Sequence, residues 1–339
     1  MLIYNRLQHK KLYTIYIGLS ILLLLLFIAD VSVGTTNIHL ADALRAWWHN
    51  DSTLQSDILL HYRLPKSIVA VMVGISLSIS GLQMQTLFRN PLADPYILGI
   101  SAGAGLGVAL FVLGKPLFVT SAWWQWGQAF AAWVGAVGVA LLLVLIAGRV
   151  RSIMTLLILG VILGSAVSAL INLLQYFGEA ASLKSYVLWT MGNVGNVSQV
   201  QLLVLCAITA FGSIVALLSH NTLNALMLGE EYARSIGYNV SLHRTLIIFT
   251  ATLLTGAAVA FCGPIGFIGI AVPHIARMIL QNANHRYLLP ATMLTGACVL
   301  LLCDTLSQLP GNAAVLPINT ITALLGIPIV IFVILRNRL

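Results

Sequence analysis

The chain has 339 residues, of which 59% are hydrophobic and only 8% are charged, and its mean hydropathy is +0.97. Soluble domains carry about 25% charged residues, so this composition excludes a soluble protein and indicates an integral membrane protein. The formal net charge of +8 follows the membrane topology described below and is no sign of nucleic-acid binding.

Apolar runs of about 17 to 25 residues are the units that cross a bilayer as helices. The sequence predicts about ten of them in one all-α membrane domain covering residues 1–339. The third and eighth runs are short or glycine-rich, and the first is predicted to be a retained helix rather than a cleaved signal peptide. The predicted spans are 12–29, 64–86, 96–113, 122–147, 153–177, 199–218, 243–262, 265–281, 288–307 and 317–335.

The distribution of charge between the loops predicts the orientation of the chain. If the N-terminus is inside, 12 of the 17 basic residues fall in inner segments and 5 in outer ones. The acidic residues divide the other way, 3 inside and 6 outside, which gives +9 inside and −1 outside. The pattern predicts that both termini are cytoplasmic.

A short polar turn, Arg89-Asn-Pro-Leu-Ala-Asp-Pro95, joins the second and third spans. Its backbone groups would go unsatisfied against lipid, so the turn must lie at a membrane surface or in a protein-lined passage. Just after it, Gly99, Gly103 and Gly107 recur every four residues. This spacing predicts a ridge of small residues that allows close helix packing.

The fifth span carries a polar stripe of four residues, Ser165, Ser168, Asn172 and Gln175. Their spacings of 3, 4 and 3 place them on one narrow face of a helix. Two interpretations stay open at this point: hydrogen bonds between helices, or the wall of a translocation path in which water solvates these groups.

The longest predicted cytoplasmic loop, residues 219–241, is too polar to span and too regular to be a tether. Its apolar residues predict two short amphipathic helices that are broken at Gly229. An apolar helix face in the cytoplasm suggests a partner protein that covers it.

The chain carries no recognisable energy source of its own. No acidic residue falls in the middle of a predicted span, although an ion-coupled carrier usually needs one there. The single Gly-Lys pair, Gly114-Lys115, precedes Pro116 and is no phosphate-binding loop. The four cysteines lack metal-ligand spacing, so no metal site is predicted.

Motifs spread from the second span to the last occur in an order typical of one family. On them the chain resembles the permease subunits of type II ABC importers for iron-siderophores, haem and vitamin B12, the FecCD-type permeases. The motifs are Arg63-Leu-Pro-Lys66, Ser80-Gly81 with Gln85, Arg89-Asn-Pro-Leu-Ala-Asp-Pro95, Leu98-Gly99, Leu228-Gly229-Glu230 with Ala233 and Gly237, Gly263-Pro-Ile-Gly-Phe-Ile-Gly269, Val272-Pro-His274 with Arg277, His285-Arg286 before Pro290, Asp304, and Thr322-Ala-Leu-Leu-Gly326 with Pro328.

The resemblance implies a type II ABC importer permease fold of about ten helices in the bacterial inner membrane. It implies a dimer of two identical or closely related permeases with the path between them, two ATPase subunits that hold ATP and Mg²⁺, and a periplasmic binding protein. No cofactor is expected in this chain, which would catalyse no reaction. The fifth helix would line the path.

The resemblance also assigns roles to particular residues. The coupling residues that contact the ATPase would be Leu223, Leu226, Gly229, Glu230, Ala233, Arg234 and Gly237. The cytoplasmic gate would be formed by Asn90 and Leu92 together with Ser152, Ile153, Met154 and Thr155. The binding protein would dock on Arg63 and Lys66.

Three positions depart from the usual family pattern: Lys66 replaces an arginine, Gln308 replaces a basic residue, and Val315-Leu-Pro-Ile-Asn319 lacks the common Glu and Gly. These changes reduce the charge available for docking and leave the coupling loop and the polar turn unaltered. His274 could ligate a metal or haem, but a structural hydrogen bond is the preferred interpretation.

The functional hypothesis is therefore an ATP-driven importer of a metal chelate, either a ferric siderophore or haem, that works by alternating access. The same family could instead carry vitamin B12 or an oxyanion such as molybdate, and no feature of the polar stripe selects one cargo. A remote alternative is an ion-coupled secondary transporter. A structural or receptor membrane protein would leave the amphipathic loop and the polar stripe unexplained together.

Overall fold

A computed structural model describes residues 2–34, 54–114, 121–147, 153–308 and 315–336. Within these ranges the chain forms thirteen α-helices, with a π-helical turn at Leu59–Arg63 inside α2 and a 3-10 turn at Pro95–Leu98. The helices are α1 Leu2–Ser32, α2 Leu54–Leu87, α3 Ile100–Leu113, α4 Ser121–Ala147, α5 Ile153–Phe177, α6 Ala180–Thr190, α7 Gln199–Leu218, α8 His220–Leu228, α9 Glu230–Ser235, α10 Val240–Cys262, α11 Ile268–Leu280, α12 His285–Ser307 and α13 Ile318–Arg336.

Seven of these helices are long and apolar enough to cross a membrane, and three shorter apolar helices, α3, α11 and α13, complete the set. The prediction of about ten spans in an all-helical membrane protein is confirmed. The two spans predicted to be short or irregular are α3, with 14 residues, and α11, with 13. Helix α6, between α5 and α7, was not predicted.

Helix α2 lies at the centre of the bundle and packs against α7, α10, α11 and α12. Two glycines permit this packing: Gly74 meets the backbone of Gly296 on α12, and Gly81 meets the backbone of Gly269 on α11. A side chain at either position would overlap the facing carbonyl group. Helices α1 and α5 lie at the periphery, since few of their apolar residues are buried.

The predicted ridge of small residues is confirmed. Gly103 packs against Gly135, and Gly107 packs against Ala131, so that α3 lies directly on α4. Gly99, with φ of +75°, faces Gly160 and α5 instead of α4. The ridge therefore serves two neighbours, and its first residue is also the left-handed cap of α3.

The helices place two polar regions at opposite ends of the bundle. Residues 89–95, which we call the polar turn, lie at one end with α8 and α9, which we call the loop helices. Lys11 of α1 donates to Gln281 Oε1 at this end, over 2.8 Å. At the other end, Lys66 and Asp304 meet.

Candidate functional site

The polar turn is a rigid loop built from local hydrogen bonds. The carbonyl groups of Gln85 and Thr86, in the last turn of α2, accept from the backbone N–H groups of Asn90 and Arg89. The Asn90 side chain accepts from the N–H of Leu92 over 3.0 Å. Arg89 adopts φ of +47°, a conformation in which few residues other than glycine are found, so the turn carries local strain.

Helix α11 holds the polar turn on one side. His274 Nε2 donates to the carbonyl of Pro91 over 2.8 Å, which is the structural hydrogen bond preferred from the sequence. Gln85 donates to the carbonyls of Gly269 and Ile270 and accepts from Arg277 Nη1 over 2.8 Å. Because His274 is engaged by the backbone, it is poorly placed as a metal or haem ligand.

The carboxyl group of Asp94 closes the polar turn. Its Oδ1 accepts from the N–H of Tyr96 over 2.8 Å and caps the 3-10 turn, and its Oδ2 lies close to Gly269. Burial raises the pKa of Asp94 to about 6, although the hydrogen bond from Tyr96 opposes this change.

The predicted break between the two loop helices is observed at Gly229, whose φ of +129° and ψ of +153° are accessible almost only to glycine. The guanidinium of Arg89 lies beside this glycine. Glu230 accepts from Arg244 Nη2 on α10 over 2.7 Å and lies 3.6 Å from Arg234 Nη2. The loop helices are thus fixed to the bundle by charge as well as by packing.

Three of the predicted coupling residues require a correction. Leu223, Leu226 and Ala233 are 0%, 3% and 0% exposed, because their side chains pack into the main apolar core. They anchor the loop helices and cannot form the contact surface itself. Of the other predicted coupling residues, Arg234 and Gly237 are exposed, Glu230 is half-buried and Gly229 is buried at the break. The outward apolar residues are Met227, Leu228, Tyr232 and Ile236.

The polar stripe on α5 faces out of the chain. Ser165, Ser168 and Asn172 are exposed, and Gln175 is half-buried. The two serines donate to carbonyls of their own helix, Val161 and Gly164, so within the described ranges they make no hydrogen bond that joins α5 to another helix. The stripe is therefore available to a second chain or to an aqueous path.

The predicted gate residues at the start of α5 are only partly described. Ser152 lies outside the described residues, and Ile153 is the first residue of α5. Met154 and Thr155 are exposed. Two turns further along, Gly160 contacts Ile97 and Leu98, which places the 3-10 turn after the polar turn against α5.

The two basic residues predicted to dock a binding protein make bonds within the chain. Arg63 is 7% exposed and donates to the carbonyls of Val31 and Ser32 at the end of α1, so a docking role for it is corrected to a structural one. Lys66 Nζ lies 2.8 Å from Asp304 Oδ2, and its side chain keeps 18% exposure. Of the two, Lys66 alone can reach the surface.

A buried polar cluster surrounds this ion pair. Asp30 Oδ2 accepts from Ser67 over 2.6 Å, and its Oδ1 accepts from Thr305 over 3.1 Å. The cluster joins α1, α2 and α12. Sequence reasoning did not foresee it, because Asp30 and Thr305 are 275 positions apart.

The fold is that of the membrane subunit of an ABC transporter, as comparison with a solved structure shows. A solved metal-chelate type ABC transporter in an inward-facing conformation superposes with a TM-score of 0.83 at 31% identity, covering 96% of this chain and 99% of that one. The hemin transport system permease HmuU of Yersinia pestis is 36% identical over 323 residues, 94% of this chain and 95% of that protein. The vitamin B12 import system permease BtuC of Klebsiella pneumoniae is 37% identical over 339 residues, 100% and 98% of the two chains.

The chain belongs to the FecCD transport family, whose model matches residues 22–336. The match covers nearly the whole chain, from the middle of α1 to the end of α13. As a member of this family the chain is a transport permease and not an enzyme.

Proposed function

We propose that this permease moves a metal chelate, either a ferric siderophore or haem, from the periplasm to the cytoplasm by alternating access. The observation that carries the proposal is the contact between the loop helices and the polar turn, where Arg89 lies beside Gly229. A partner that displaces α8 and α9 would act directly on the segment that bounds the inner end of the path.

Two ATPase subunits are the proposed partners of the loop helices. The loop helices present an apolar surface whose exposure to water is unfavourable. It is formed by four residues that are each 40% to 59% exposed: Met227, Leu228, Tyr232 and Ile236. Glu231, Arg234 and Gly237 border this surface and are exposed. ATP and Mg²⁺ would be bound by the ATPase, and this chain would hold no cofactor.

A second copy of the permease, or a close relative, would face α5. Apolar residues such as Met154, Ile158 and Ile162 are more than half exposed on this helix and interleave with the polar stripe. A path between two α5 helices would place Asn172 and Gln175 against the cargo and the apolar residues against the other copy. Asn90 and Leu92 would close the path at its cytoplasmic end, together with residues 152–155.

The proposed location is the bacterial inner membrane, with both termini in the cytoplasm. The end of the bundle that holds the loop helices also carries Lys11, Arg89, Arg244 and Arg286, in accord with the positive-inside rule. A periplasmic binding protein would dock at the opposite end, where Lys66 is the one basic residue of the predicted pair that retains exposure.

Vitamin B12 is the second candidate cargo. Identity to the vitamin B12 permease is 37% and to the hemin permease 36%, each over nearly the full length, so identity does not separate the two. No charged residue lies on the polar stripe, which suits a large cargo that is held weakly.

The first experiment is co-expression of the chain with the ATPase subunit encoded nearest to it, followed by native mass measurement of the purified complex. Two permeases with two ATPases would support the proposal. A permease that purifies as a complex with no ATPase, even when a second permease chain is supplied, would contradict it.

Cargo is tested by uptake into proteoliposomes that contain the complex, with its binding protein and ATP. Haemin, a ferric hydroxamate siderophore and cyanocobalamin are compared at equal concentration. Asn172→Leu on the polar stripe should lower uptake several-fold for the true cargo, whereas Leu170→Met on another exposed face of α5 should leave it unchanged. Equal uptake in the two variants would argue against a path along α5.

A further inference from the structure

A chain of three side chains connects loop helix α8 to the last turn of α2. Asn224 Oδ1 on α8 accepts from the backbone N–H of His285 over 2.9 Å and from its ring Nδ1 over 2.8 Å. On the far side of the ring, Nε2 lies 2.8 Å from Thr86 Oγ1. His285 is 1% exposed, so water does not compete for these bonds.

At the Asn224 end, the directions of the hydrogen bonds are fixed by their partners. Asn224 Nδ2 donates to Asn284 Oδ1 over 3.0 Å, which orients the amide so that Oδ1 points at the ring. An amide oxygen can only accept, so Nδ1 of His285 carries a proton. In the neutral ring Nε2 is an acceptor, and it shares the single hydroxyl proton of Thr86 with the carbonyl of Leu82, which also lies 2.8 Å from Thr86 Oγ1.

Thr86 occupies the position from which the polar turn begins. Its backbone carbonyl accepts from the N–H of Arg89, and the preceding carbonyl, that of Gln85, accepts from the N–H of Asn90. A displacement of Thr86 therefore moves the first two residues of the turn. Asn224 lies on the same short helix as Leu223 and Leu226, which anchor α8 in the core.

We propose that His285 is a positioning residue that couples the movement of α8 to the polar turn through Asn224 and Thr86. The proposal rests on the coupling role proposed above for the loop helices. Apolar packing lets two helices slide past one another, whereas two hydrogen bonds at opposite ends of one rigid ring fix their separation and register. Glu230 and Arg244 tie α9 to α10 and do not reach α2, so they cannot replace this connection.

The experiment uses the full complex with its ATPase subunits, reconstituted in nanodiscs. Hydrogen–deuterium exchange is measured in two peptides, one covering α8 and one covering residues 88–99, with and without ATP and vanadate. This measurement needs no cargo. The variants are His285→Phe, which removes both ring bonds, His285→Asn, which keeps a donor near the Nδ1 position, and His285→Gln, which keeps a group near the Nε2 position.

In wild type we expect nucleotide to change exchange in both peptides. In His285→Phe the α8 peptide should still respond, while the response of the 88–99 peptide should fall at least threefold and ATP hydrolysis should stay within twofold. His285→Asn and His285→Gln should each lose most of the response of the 88–99 peptide, because the connection needs both ends. The control is Thr292→Val on the same helix. The buried hydroxyl of Thr292 donates to the carbonyl of Leu288 on its own helix, so this variant should respond to nucleotide as wild type does.

An unchanged response of the 88–99 peptide in His285→Phe would overturn the proposal. If His285→Phe fails to assemble, Asn224→Ala breaks the same connection from the α8 side and carries the same expectation. If neither peptide of the wild-type complex responds to nucleotide, the proposed function itself is contradicted. This outcome differs from the loss of the 88–99 response alone, which is the result expected for His285→Phe.

Discussion

Lys66 Nζ and Asp304 Oδ2 lie 2.8 Å apart in a region where the Asp304 side chain is 2% exposed and that of Lys66 is 18% exposed. Asp30, 2% exposed, lies nearby and is held by two hydroxyl groups. Among the described residues of this cluster, Lys66 is the cation that pairs with Asp304, and Asp30 is a second buried carboxyl group. The pair joins α2 to α12 at the end of the bundle opposite the loop helices.

The first prediction concerns this ion pair. Lys66→Met leaves Asp304 buried without its cation and should destabilise the permease by about 3 to 5 kcal/mol. Lys66→Met combined with Asp304→Leu should recover much of the loss, because no unpaired charge remains. The measurement is thermal unfolding in detergent, with Lys184→Met on exposed α6 as the control. Similar midpoints for Lys66→Met and the control would contradict the prediction.

The second prediction concerns the contact between α3 and α4. A Cβ atom at Gly107 would overlap the carbonyl oxygen of Ala131, so Gly107→Ala should destabilise by about 1 to 3 kcal/mol through overpacking. Nothing lies within 4 Å of the Cβ position at Gly138 on α4, so Gly138→Ala should be neutral or stabilising by up to about 1 kcal/mol. Unfolding midpoints in the same detergent test the pair, and the reverse ranking would refute the packing described here.

The third prediction concerns the break between the loop helices. Gly229 has φ of +129° and donates its N–H to the carbonyl of Leu226, so Gly229→Pro loses both the conformation and the bond. ATP hydrolysis by the complex should continue while uptake falls at least tenfold. Ser235→Ala, at the exposed end of α9, serves as the control and should transport normally. Normal uptake in Gly229→Pro would count heavily against coupling through these helices.

The fourth prediction is a dependence of stability on pH. Burial raises the pKa of Asp94 from 3.8 to about 6, so between these values the folded permease binds more protons than the unfolded chain. The contribution of Asp94 to stability is fully present below about pH 4 and is lost as the pH rises to 6 and above. Asp94→Asn keeps an oxygen for the N–H of Tyr96 and should remove this contribution to the pH profile.

The measurement for Asp94 is the unfolding midpoint of wild type and Asp94→Asn from pH 4 to pH 7.5. The difference between the two proteins should shift in favour of the asparagine variant as the pH rises. Asp94→Ala, which also loses the cap, should be less stable than Asp94→Asn at every pH. A difference between wild type and Asp94→Asn that is independent of pH would show that the carboxyl group does not titrate in this range.

The sequence could predict the spans because each is encoded locally, in a run of apolar residues. Local patterns also located the helix break at Gly229 and the close contact at Gly103 and Gly107. Burial within the loop helices could not be predicted in the same way. Leu223 and Met227 are both apolar. Only the position of the helix bundle beside α8 determines that Leu223 is buried and anchors the helix while Met227 is exposed.

Side-chain partners far apart in the chain were beyond sequence reasoning. Arg63 carries a charge that could bind a docking protein, yet its guanidinium donates hydrogen bonds to the carbonyls at the end of α1. Asn224 and His285 are 61 positions apart and carry no motif that pairs them. Such contacts depend on how helices meet in three dimensions, and one sequence contains no record of that geometry.

The shortness of α11 has a consequence for how the permease is made. Thirteen residues rise only about 20 Å, well short of a hydrocarbon core of about 30 Å, so residues 263–267 must complete the passage without helical hydrogen bonds. Their backbone is satisfied from elsewhere: Tyr96 bonds Ile265 at both its N–H and its carbonyl, and Asn319 accepts from the N–H of Gly266. Asn319 belongs to the last helix, so ribosomes must finish nearly the whole chain before this segment is shielded from lipid. Chains that stop before α13 would leave the N–H of Gly266 without this acceptor inside the bilayer and should be recognised by membrane proteases.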